Sequence, residues 1–499
     1  MPEWNPILGH LPMLPRLLNQ LPKGAQQSYC FGLLTRDFPN SDGLFYIDLW
    51  PFSLPIIIVS TPELAHQVGQ EYDLPKPDSL KPFFKPITGG LGLFMMNGED
   101  HKSSRALFTP GFSANVILEH TGNIVDQAQV YVEILREYAN KGEIFSLDAI
   151  TCWYMMDVIG AVSLDAQLNS QRQHNDLASA MRNQIQRHIR EEEMNPFKRY
   201  NPMRPIMEWY NGYMMDRYIC AELDKRYQEW RSAKLSKPKT KSVIDLVIAE
   251  YMRERCAGDT LDVRFKSWAC AQIRLFLFVG HDSTAATIVY SFYLLSRHPA
   301  ALERVRKEHN EVFSADLLIT PQLLKEQPQL INQLPYTTAV IKECLRLFPP
   351  AAAFRGGLAN VSLRGSNGQK YPTDGMGVWV LHDAIHRHPN YWPRPSEFLP
   401  ERWMVGPDHP LYPPKWAWRP FEYGTRNCIG QTLVMLDVKV TLAMTIREFD
   451  IQNAYKEWDQ FNSSKGIKTV DGERAYQISA GSSHPADGFP CRVSIRQGK

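Results

Sequence analysis

The pattern of hydrophobic and polar positions divides the chain into unequal parts. Near its start, two short runs rich in β-branched and aromatic residues, 44–50 and 54–60, are joined through Pro51 and predict a β-hairpin. Residues 61–63, Thr-Pro-Glu, supply a capping residue, a first-turn proline and a first-turn acid. A helix is therefore expected from there to about Glu71.

From residue 98 to about residue 350, apolar residues recur almost entirely at helical spacing. We expect breaks in this helical region at Pro110, between 196 and 205, at Pro238 and at Pro299, because proline interrupts helices. The middle of the chain is thus predicted to be a set of successive helices.

Beyond Pro349, proline, glycine and aromatic residues become frequent, which is typical of loop-rich structure. Short strands are expected near 361–363 and 378–381, and one more helix from about Ile429. The pattern predicts a mainly α protein of the α+β kind, in which both ends of the chain contribute to a small β part.

Composition and charge narrow the class of protein. The 499 residues, of which 44% are hydrophobic, can bury a large core. A net charge of +2 gives no overall field for binding nucleic acid. The eight cysteines include no Cys-x-x-Cys pair, which favours a reduced, cytosol-facing chain. The best membrane-span candidate, Leu275 to Leu295, carries His281 and Asp282 at its centre and predicts a buried helix instead.

The segment FEYGTRNCIG, residues 421–430, places a lone cysteine just before a predicted helix. A helix start favours a thiolate because its N–H groups are unpaired and its dipole end is positive. Gly424 permits a tight turn, Gly430 removes a side chain where a flat ligand would approach, and Arg426 offers a fork for a carboxylate. These are the demands of an iron porphyrin with an axial sulfur. The alternative is that Cys428 is a small buried hydrophobe.

The same segment resembles the Phe-x-x-Gly-x-Arg-x-Cys-x-Gly signature of the cytochrome P450 family. Every fixed position of that signature is matched, by Phe421, Gly424, Arg426, Cys428 and Gly430. The resemblance implies that Cys428 is the axial ligand of the iron of haem b and that the other four residues bind or shape the haem. It also implies the fold of that family, a helical bundle around the haem with a long central helix and small β-sheets.

Two further motifs follow the order of that family. Glu343 and Arg346 are three residues apart on a predicted helix, and alone such a pair is more often a solvated surface pair. The sequence PERW follows at 400–403. The resemblance implies that Arg402 joins Glu343 and Arg346 in a structural triad beneath the haem.

The segment VGHDST, residues 279–284, places an acid and two hydroxyls inside an apolar helix. A buried Asp is costly unless it is hydrogen-bonded, so Asp282 is either functional or part of a polar kink satisfied by water. The segment resembles the oxygen-activation motif of the family. That implies catalytic roles for Asp282 and Ser283, with Thr284 as a fallback hydroxyl, and a pocket narrowed by Val279.

Residues 98–112 resemble the family helix whose Trp-x-x-x-Arg pair binds a haem propionate. His101 replaces the tryptophan and Arg105 is kept, and residues four apart lie on one helix face. His101 is therefore either a second propionate ligand or a plain exposed histidine. The resemblance adds Arg355 and Arg426 to the propionate ligands.

The sequence NPILGHLP, residues 5–12, resembles the proline-rich hinge that follows the membrane anchor in microsomal members of the family. We therefore expect residues 1–30 to be a hinge that follows a missing anchor, and residues 31–499 to form a single catalytic domain. The implied location of the full-length form is the cytosolic face of the endoplasmic reticulum membrane.

The resemblance implies a monooxygenase that uses O2 and electrons from NADPH. The implied partners are NADPH–cytochrome P450 reductase and cytochrome b5. A basic patch for the reductase is expected from Lys102, Lys415, Arg419 and Lys439, although each of these is also an ordinary solvated charge.

The predicted reaction is hydroxylation or epoxidation of a bulky, mostly apolar small molecule, such as a secondary metabolite or a lipid-like compound. The expected pocket walls are aromatic and aliphatic. They are Phe83, Phe84, Phe94, Phe276, Val279, Ala352 and Phe354.

Other functions fit parts of the sequence. Oxidative coupling of substrate radicals is a variation of the same chemistry. Peroxide-driven oxidation or rearrangement without a reductase would not need Asp282 and Ser283. A haem sensor or carrier would bind haem without substrate-dependent electron uptake, and a helical scaffold without haem would require every motif to be a coincidence.

Overall fold

The computed structural model describes residues 2–38, 41–51, 53–188, 202–232, 242–254, 259–462 and 466–496. Helices make up most of these residues. In chain order the α-helices are α1 Met13–Leu18, α2 Gln27–Asp37, α3 Pro62–His66, α4 Leu80–Thr88, α5 Gly98–Phe108, α6 Ala114–Glu119, α7 Thr121–Lys141, α8 Leu147–Leu164, α9 Asp176–His188, α10 Met203–Ser232, α11 Val243–Glu254, α12 Val263–Arg297, α13 Pro299–Phe313, α14 Thr320–Glu326, α15 Pro335–Leu347, α16 His382–His386, α17 Gln431–Thr445 and α18 Tyr455–Phe461.

The strands are short and occur towards both ends of the chain. They are β1 Leu44–Ile47, β2 Ile56–Val59, β3 Phe145–Ser146, β4 Ala353–Gly356, β5 Ser362–Arg364, β6 Lys370–Pro372, β7 Gly377–Val380, β8 Phe449–Asn453, β9 Gln477–Ala480, β10 Ser482–Pro485 and β11 Pro490–Ile495. The mainly helical α+β class predicted from the pattern is confirmed.

The largest sheet joins distant parts of the sequence. Its strand order is β1-β2-β7-β4, in which β1 and β2 form the predicted antiparallel hairpin and β2 pairs in parallel with β7. The remaining sheets are β9 with β10, β5 with β6, and β3-β11-β8. The prediction that both chain ends contribute to the β part is therefore confirmed.

Most of the predicted helix boundaries agree with the structure. A π-helical turn, Gln67–Glu71, extends α3 to the residue where the sequence predicts its end. A 3-10 turn, Thr109–Phe112, replaces the α-helix at Pro110, and α13 begins at Pro299. The break expected between 196 and 205 is described only from residue 202, where Pro205 lies in the first turn of α10. Pro238 lies outside the described residues.

The long central helix is α12. The carboxylate of Asp262 caps its start by accepting a hydrogen bond of 2.8 Å from the backbone N–H of Phe265. The stretch expected to be a buried helix, 275–295, lies within α12 and is almost completely buried. At Gly280 a Cβ would lie 2.4 Å from the Cδ1 atom of Ile159, so the glycine allows α8 to pack closely on α12.

One helix among the described residues, Leu147–Leu164, is long and apolar enough to cross a membrane by length and composition. It is α8, not the stretch at 275–295 that the sequence singled out. Of its residues 78% are buried inside the protein, and a core helix passes the same test.

The first thirty residues pack against the largest sheet. Leu17 of α1 belongs to the same buried cluster as Phe45 of β1. Helix α2 spans residue 30, the expected end of the hinge, and its Cys30 and Phe31 are buried in that cluster.

Candidate functional site

Cys428 lies in the loop that leads into α17, with Gly430 at the N-cap of that helix. The backbone N–H of Cys428 donates to the carbonyl of Phe421 at 2.7 Å, which closes the loop. Gly424 has a φ of +84°, and a Cβ there would lie 2.5 Å from the carbonyl oxygen of Gly69. The turn therefore requires glycine at position 424.

The thiol of Cys428 lines a cavity of about 620 Å³ between α5, α6 and α17. Although the residue is exposed to this cavity, burial in the surrounding protein raises the pKa of the thiol. The backbone N–H of Gly430 and the charge of Arg105 act in the opposite direction and are outweighed. The expected thiolate is therefore not favoured by the protein alone, and a metal ligated by the sulfur would supply the missing stabilisation.

Gly430 lies close to the sulfur of Cys428. A Cβ added at this position would lie 3.9 Å from the Sγ of Cys428, which is an ordinary contact. Its φ of −87° is open to any residue, so the protein itself does not require glycine at this position. The expectation that this glycine makes room for a flat ligand stays a prediction.

Glu343, Arg346 and Arg402 lie together and are completely buried. The carboxylate of Glu343 accepts two hydrogen bonds from Arg346, of 2.8 and 2.9 Å, and one of 3.0 Å from Arg402. It also accepts from the backbone N–H of Leu399 and the indole N–H of Trp403, both at 3.0 Å. The alternative of a solvated surface pair is wrong.

An aromatic ladder of Trp403, Trp418 and Phe421 connects this triad to the cysteine loop. The ring centroids of Trp403 and Trp418 are 5.3 Å apart, and those of Trp418 and Phe421 are 6.0 Å apart. Since the carbonyl of Phe421 holds the N–H of Cys428, the loop is joined to the Glu343 carboxylate through packed rings and one hydrogen bond.

Cationic side chains are concentrated near the loop. Arg355, on β4, is 2% exposed, and its Nε and Nη1 atoms have no hydrogen-bond partner among the described residues. The ammonium of Lys76 is buried, donates a long bond of 3.3 Å to the carbonyl of Phe354 and lies 3.9 Å from the centre of the Phe94 ring. Burial lowers the pKa of Lys76 well below its ordinary value, and the nearby charges of Arg355 and Arg426 lower it further.

Arg426 is the third member of this cation cluster, which we define as Lys76, Arg355 and Arg426. Its Nη2 donates to the carbonyl of Met96 at 2.9 Å and to the Oδ1 of Asn97 at 2.7 Å. Burial and the charge of Arg355 lower the pKa of Arg426 to about 10. The three cations therefore disfavour one another.

The acids near the cluster do not neutralise it. Arg355 is attracted by Asp73 and Glu422, but Glu422 is already bound by Arg419 at 2.6 Å and by His382 at 2.5 Å. Buried charges without a partner are unfavourable, so the cluster fits a ligand that carries carboxylates. The two propionates of a haem are such carboxylates, and Arg426 lies only two residues from Cys428.

Arg105 donates through Nη1 and Nη2 to the backbone and side-chain oxygens of Asn427, both at 2.6 Å. This contact ties α5 to the residue that precedes Cys428. His101, one turn earlier on α5, is buried, so the alternative of an exposed histidine is wrong. Burial, with the charges of Arg426 and Arg105, lowers the pKa of His101 to about 4, and its neutral ring keeps one N–H donor near pH 7.

The middle of the central helix carries a hydroxyl beside an exposed side chain. Val279 is 40% exposed within the largely buried stretch 269–295, and Ser283 follows it by one turn and is half-buried. The Oγ of Ser283 donates to the carbonyl of Val279 at 3.1 Å. Thr284, the fallback hydroxyl, is buried in the packed interior.

Asp282 lies on a different side of α12 and is buried. It accepts a hydrogen bond from the backbone N–H of Ser482, and its Oδ1 lies 3.2 Å from the Nε2 of His484. Burial would raise the pKa of Asp282, but the charge and hydrogen bond of His484 outweigh it and lower the pKa to about 2. Its partners are protein groups, so the alternative of a kink satisfied by water is wrong.

Three of the expected wall residues, Phe83, Phe84 and Phe94, lie together around α4. The ring of Phe84 lies 5.1 Å from that of Phe83 and 5.2 Å from that of Phe94, which is itself exposed. Ala352 is half-buried at the start of β4.

Two expected wall residues are corrected by the structure. Phe276 is buried between Phe108, at 4.9 Å, and Phe112, at 5.2 Å, because the segment after α5 covers this part of α12. Phe354 and Arg355 are successive residues of a strand and must face opposite sides. Phe354 packs on Trp379 in the cluster below the largest sheet.

The expected basic patch also needs one correction. Arg419 is buried and held by Glu422 and by the carbonyl of Ala65, so it belongs to the interior. Lys102 and Lys415 are exposed, and Lys439 is half-buried where it lines the same cavity as Cys428.

Sequence reasoning missed three residues of the site, Lys76, Asn427 and His484. Lys76 stands between two prolines and carries no periodic signal, and the partners of His484 are distant in sequence. Asn427 adjoins a recognised motif, and only the contact with Arg105 reveals its role.

A cysteine that lines a cavity, near buried cations that the described acids do not neutralise, fits the class of haem-thiolate proteins. The sequence model of the cytochrome P450 family matches residues 36–478. The chain is 42% identical to cytochrome P450 monooxygenase polC of Polytolypa hystricis, over 99% of this chain and 89% of that protein. It is 30% identical to cytochrome P450 monooxygenase acrF of Aspergillus aculeatus, over 96% and 99%. The chain belongs to the cytochrome P450 family.

A solved structure agrees with this assignment. The haem domain of cytochrome P450DA superposes with a TM-score of 0.74 at 20% identity, covering 99% of this chain and 97% of that one. The predicted fold is therefore confirmed. Family membership makes the protein a monooxygenase and implies a haem and a redox partner.

Proposed function

We propose that Cys428 ligates the haem iron and that Lys76, Arg355 and Arg426 receive the propionates, with Arg105 and His101 as further donors. The observation that carries this proposal is the buried guanidinium of Arg355, two of whose donors have no partner among the described residues. A buried donor left unsatisfied costs free energy, and a propionate removes that cost.

When bound, the haem supplies the reductive activation of O2 and the transfer of one oxygen atom to the substrate. The residues of the chain bind, orient and supply protons. Ser283 presents its hydroxyl to the open space, and Asp282 holds a carboxylate one residue away on the buried side. Thr284 is too buried to replace Ser283 without movement of the helix.

The substrate we propose is a bulky, mostly apolar small molecule, a secondary metabolite or a lipid-like compound, which is hydroxylated or epoxidised. Support comes from the aromatic cluster of Phe83, Phe84 and Phe94 and from the exposed Val279. Apolar walls of this kind bind by removing apolar area from water and set few polar demands.

A matched pair of substitutions on α12 tests this pocket. Val279→Phe should fill the open space. The affinity for bulky apolar compounds, measured by the shift that they cause in the haem absorption band, should then fall by about tenfold or more. Val263→Phe is the control, because Val263 lies in the exposed first turn of the same helix. Equal responses of both variants, or shifts caused only by small charged compounds, would contradict the proposed substrate class.

Electrons are proposed to come from NADPH through NADPH–cytochrome P450 reductase, with cytochrome b5 as a second donor, at the endoplasmic reticulum membrane. The support is the exposure of Lys102, which also pairs with Glu99 at 2.6 Å, and of Lys415, together with the position of Lys439 in the cavity of Cys428. We propose that these lysines form a docking edge for the reductase. Replacing Lys102 and Lys415 by alanine should slow reductase-supported turnover at low salt and have little effect at high salt. Unchanged rates at low salt would contradict this docking edge, and haem binding without any NADPH consumption would indicate a carrier.

A further inference from the structure

His484 is held between two carboxylates behind the central helix. Its Nδ1 lies 2.7 Å from the Oδ1 of Asp148, and its Nε2 lies 3.2 Å from the Oδ1 of Asp282. The side chains of Asp148, His484 and Asp282 are 17%, 3% and 5% exposed. The ring therefore bridges a partly exposed acid and a buried one.

The three residues come from separate elements that must approach closely. Asp148 lies in the first turn of α8, Asp282 in the middle of α12, and His484 on β10. Gly481, between β9 and β10, has a φ of +111°, and a Cβ there would lie 2.6 Å from the Asp282 carboxylate. Only glycine lets the hairpin come this near, and the N–H of Ser482 then donates to Asp282.

Charges around the ring favour the imidazolium. Burial alone would lower the pKa of His484, but Asp148 and Asp282 raise it well above its ordinary value. The other titratable groups at this place are Cys152 of α8, whose pKa burial raises, and His281 of α12, whose pKa burial lowers. Both are therefore neutral near pH 7, and the more distant Arg182 of α9 acts on both of them.

A further contact gives Nε2 a route for protons. The Oγ of Ser482 lies 3.2 Å from the same Nε2 that faces Asp282. Ser482 is half-buried, whereas His484 and Asp282 are buried. A hydroxyl can donate one proton while accepting another, so Ser482 connects the ring to more accessible surroundings.

We propose that Asp148, His484 and Ser482 form a relay that recharges Asp282 with protons, and that His484 is the positioning residue on which the proton supply depends. The inference rests on the proposed role of Asp282 in the oxygenation reaction. At rest Asp282 stays ionised, because its pKa lies below that of His484. The proton on Nε2 passes to the carboxylate only as Asp282 gives a proton up to the reaction, and the ring is then left neutral. Asp148 keeps the Nδ1–H bond throughout and stays ionised. The Ser482 hydroxyl returns a proton to Nε2 and takes another from solvent water on its half-buried side, so that the hydroxyl is restored.

Two variants of the full, haem-loaded chain separate this role from a structural one. His484→Gln keeps an amide donor towards Asp282 but cannot release a proton. Asp148→Asn keeps the shape and removes the charge that stabilises the imidazolium. His174→Gln is the control, because His174 is an exposed histidine that also pairs with an acid, Asp176, at 3.2 Å.

The first measurement follows the His484 ring by NMR of 15N-histidine-labelled protein, with His484→Gln for assignment. In the wild type the ring should stay doubly protonated at pH 7, and in Asp148→Asn it should titrate about one pH unit lower or more. A neutral ring in the wild type at pH 7 overturns the proposal, even where a variant fails to fold. Stoichiometric zinc in the protein also overturns it, since Asp148, Cys152 and His484 would then be metal ligands.

The second measurement is product formed per NADPH oxidised, as a function of pH. His484→Gln should lower this ratio about tenfold at every pH, because proton supply by a positioned group contributes about 100-fold or more. In Asp148→Asn the product formed per NADPH should fall as pH rises through the new pKa of His484. His174→Gln should give the same ratio as the wild type. Folded variants with wild-type ratios and pH profiles overturn the relay. A wild type without turnover would instead refute the proposed function, while the NMR result stays interpretable.

Discussion

Glu343→Gln removes the carboxylate that forms ion pairs with two completely buried guanidinium groups, those of Arg346 and Arg402. The carboxylate accepts five hydrogen bonds, from Arg346, Arg402, Trp403 and the backbone of Leu399. An amide of the same shape turns two acceptor positions into donors, which then face the N–H groups of Arg402 or Trp403. Both arginines lose their counter-charge without gaining access to water.

The size of the effect follows from that burial. Breaking a buried ion pair by removing one partner costs about 3–5 kcal/mol, because an uncompensated charge stays behind. With an unfolding entropy of about 2 cal/mol/K per residue, 499 residues give about 1 kcal/mol/K. We therefore expect Tm to fall by about 3–5 °C. The loop should also loosen, since the aromatic ladder joins Trp403 to the residue that holds Cys428.

Thermal unfolding of the haem-loaded protein and the rate of haem loss measure the two effects. Glu397→Gln is the matched control, because Glu397 and Arg394 form an exposed pair with the same three-residue spacing. That variant should behave like the wild type. Equal Tm values for Glu343→Gln and Glu397→Gln would refute the reasoning from burial. A large fall in Tm with unchanged haem loss would refute the coupling through the ladder.

Three other predictions concern the haem pocket and the relay. Arg355→Met should speed haem transfer to apomyoglobin at least tenfold, since charge-assisted bonds contribute about 1.5–3 kcal/mol. The haem-free variant should be as stable as the haem-free wild type or more stable, because a buried unsatisfied cation is removed. A destabilised haem-free variant would contradict this prediction. Gly424→Ala should cost about 1–3 kcal/mol from its positive φ, measured by denaturant unfolding, whereas Gly122→Ala, with open space around it, should not. The pKa of Asp282 is about 2 in the folded protein, below the value of about 3.9 in the unfolded chain. The stability that ionised Asp282 gives to the folded state is therefore complete above pH 4 and is lost as pH falls towards 2. The pKa of His484 is raised in the folded protein. The stability that the protonated ring gives to the folded state is therefore complete below about pH 6.5, and it is lost as pH rises through the pKa of the folded protein. The Tm difference between wild type and His484→Gln should therefore shrink at both ends of the pH range, and a constant difference would contradict it.

The parts of the fold that sequence predicts best are those with local causes. The hairpin, the helix from residue 62 and the break at Pro299 depend on a few neighbouring residues, and the structure has all of them. The cysteine loop and the Glu343 triad were predictable because their motifs resemble those of the cytochrome P450 family. Which side of a strand or helix a residue faces was predicted less well. Successive residues of a strand face opposite sides, so alternation alone would have kept Phe354 out of a pocket wall next to Arg355.

The parts that were not predictable depend on contacts between distant residues. His484 and Asp148 are 336 positions apart, and the N–H of Ser482 meets Asp282 across 200 positions. No periodicity or motif relates them, because the close approach is created by Gly481 and by the packing of α8 on α12. Phe276 was expected in the pocket wall, but Phe108 at the end of α5 and Phe112 just after it cover its ring.

The central claim, that Cys428 is the axial ligand of the haem iron, is tested most directly by the optical spectrum of the reduced carbon monoxide complex. The wild type should show the strongly red-shifted band of a thiolate-ligated haem, and Cys428→Ala should lack it. Cys30→Ala, a change at a buried cysteine in α2, should keep the band. A wild type without the band, or a Cys428→Ala variant that retains it, would contradict the account.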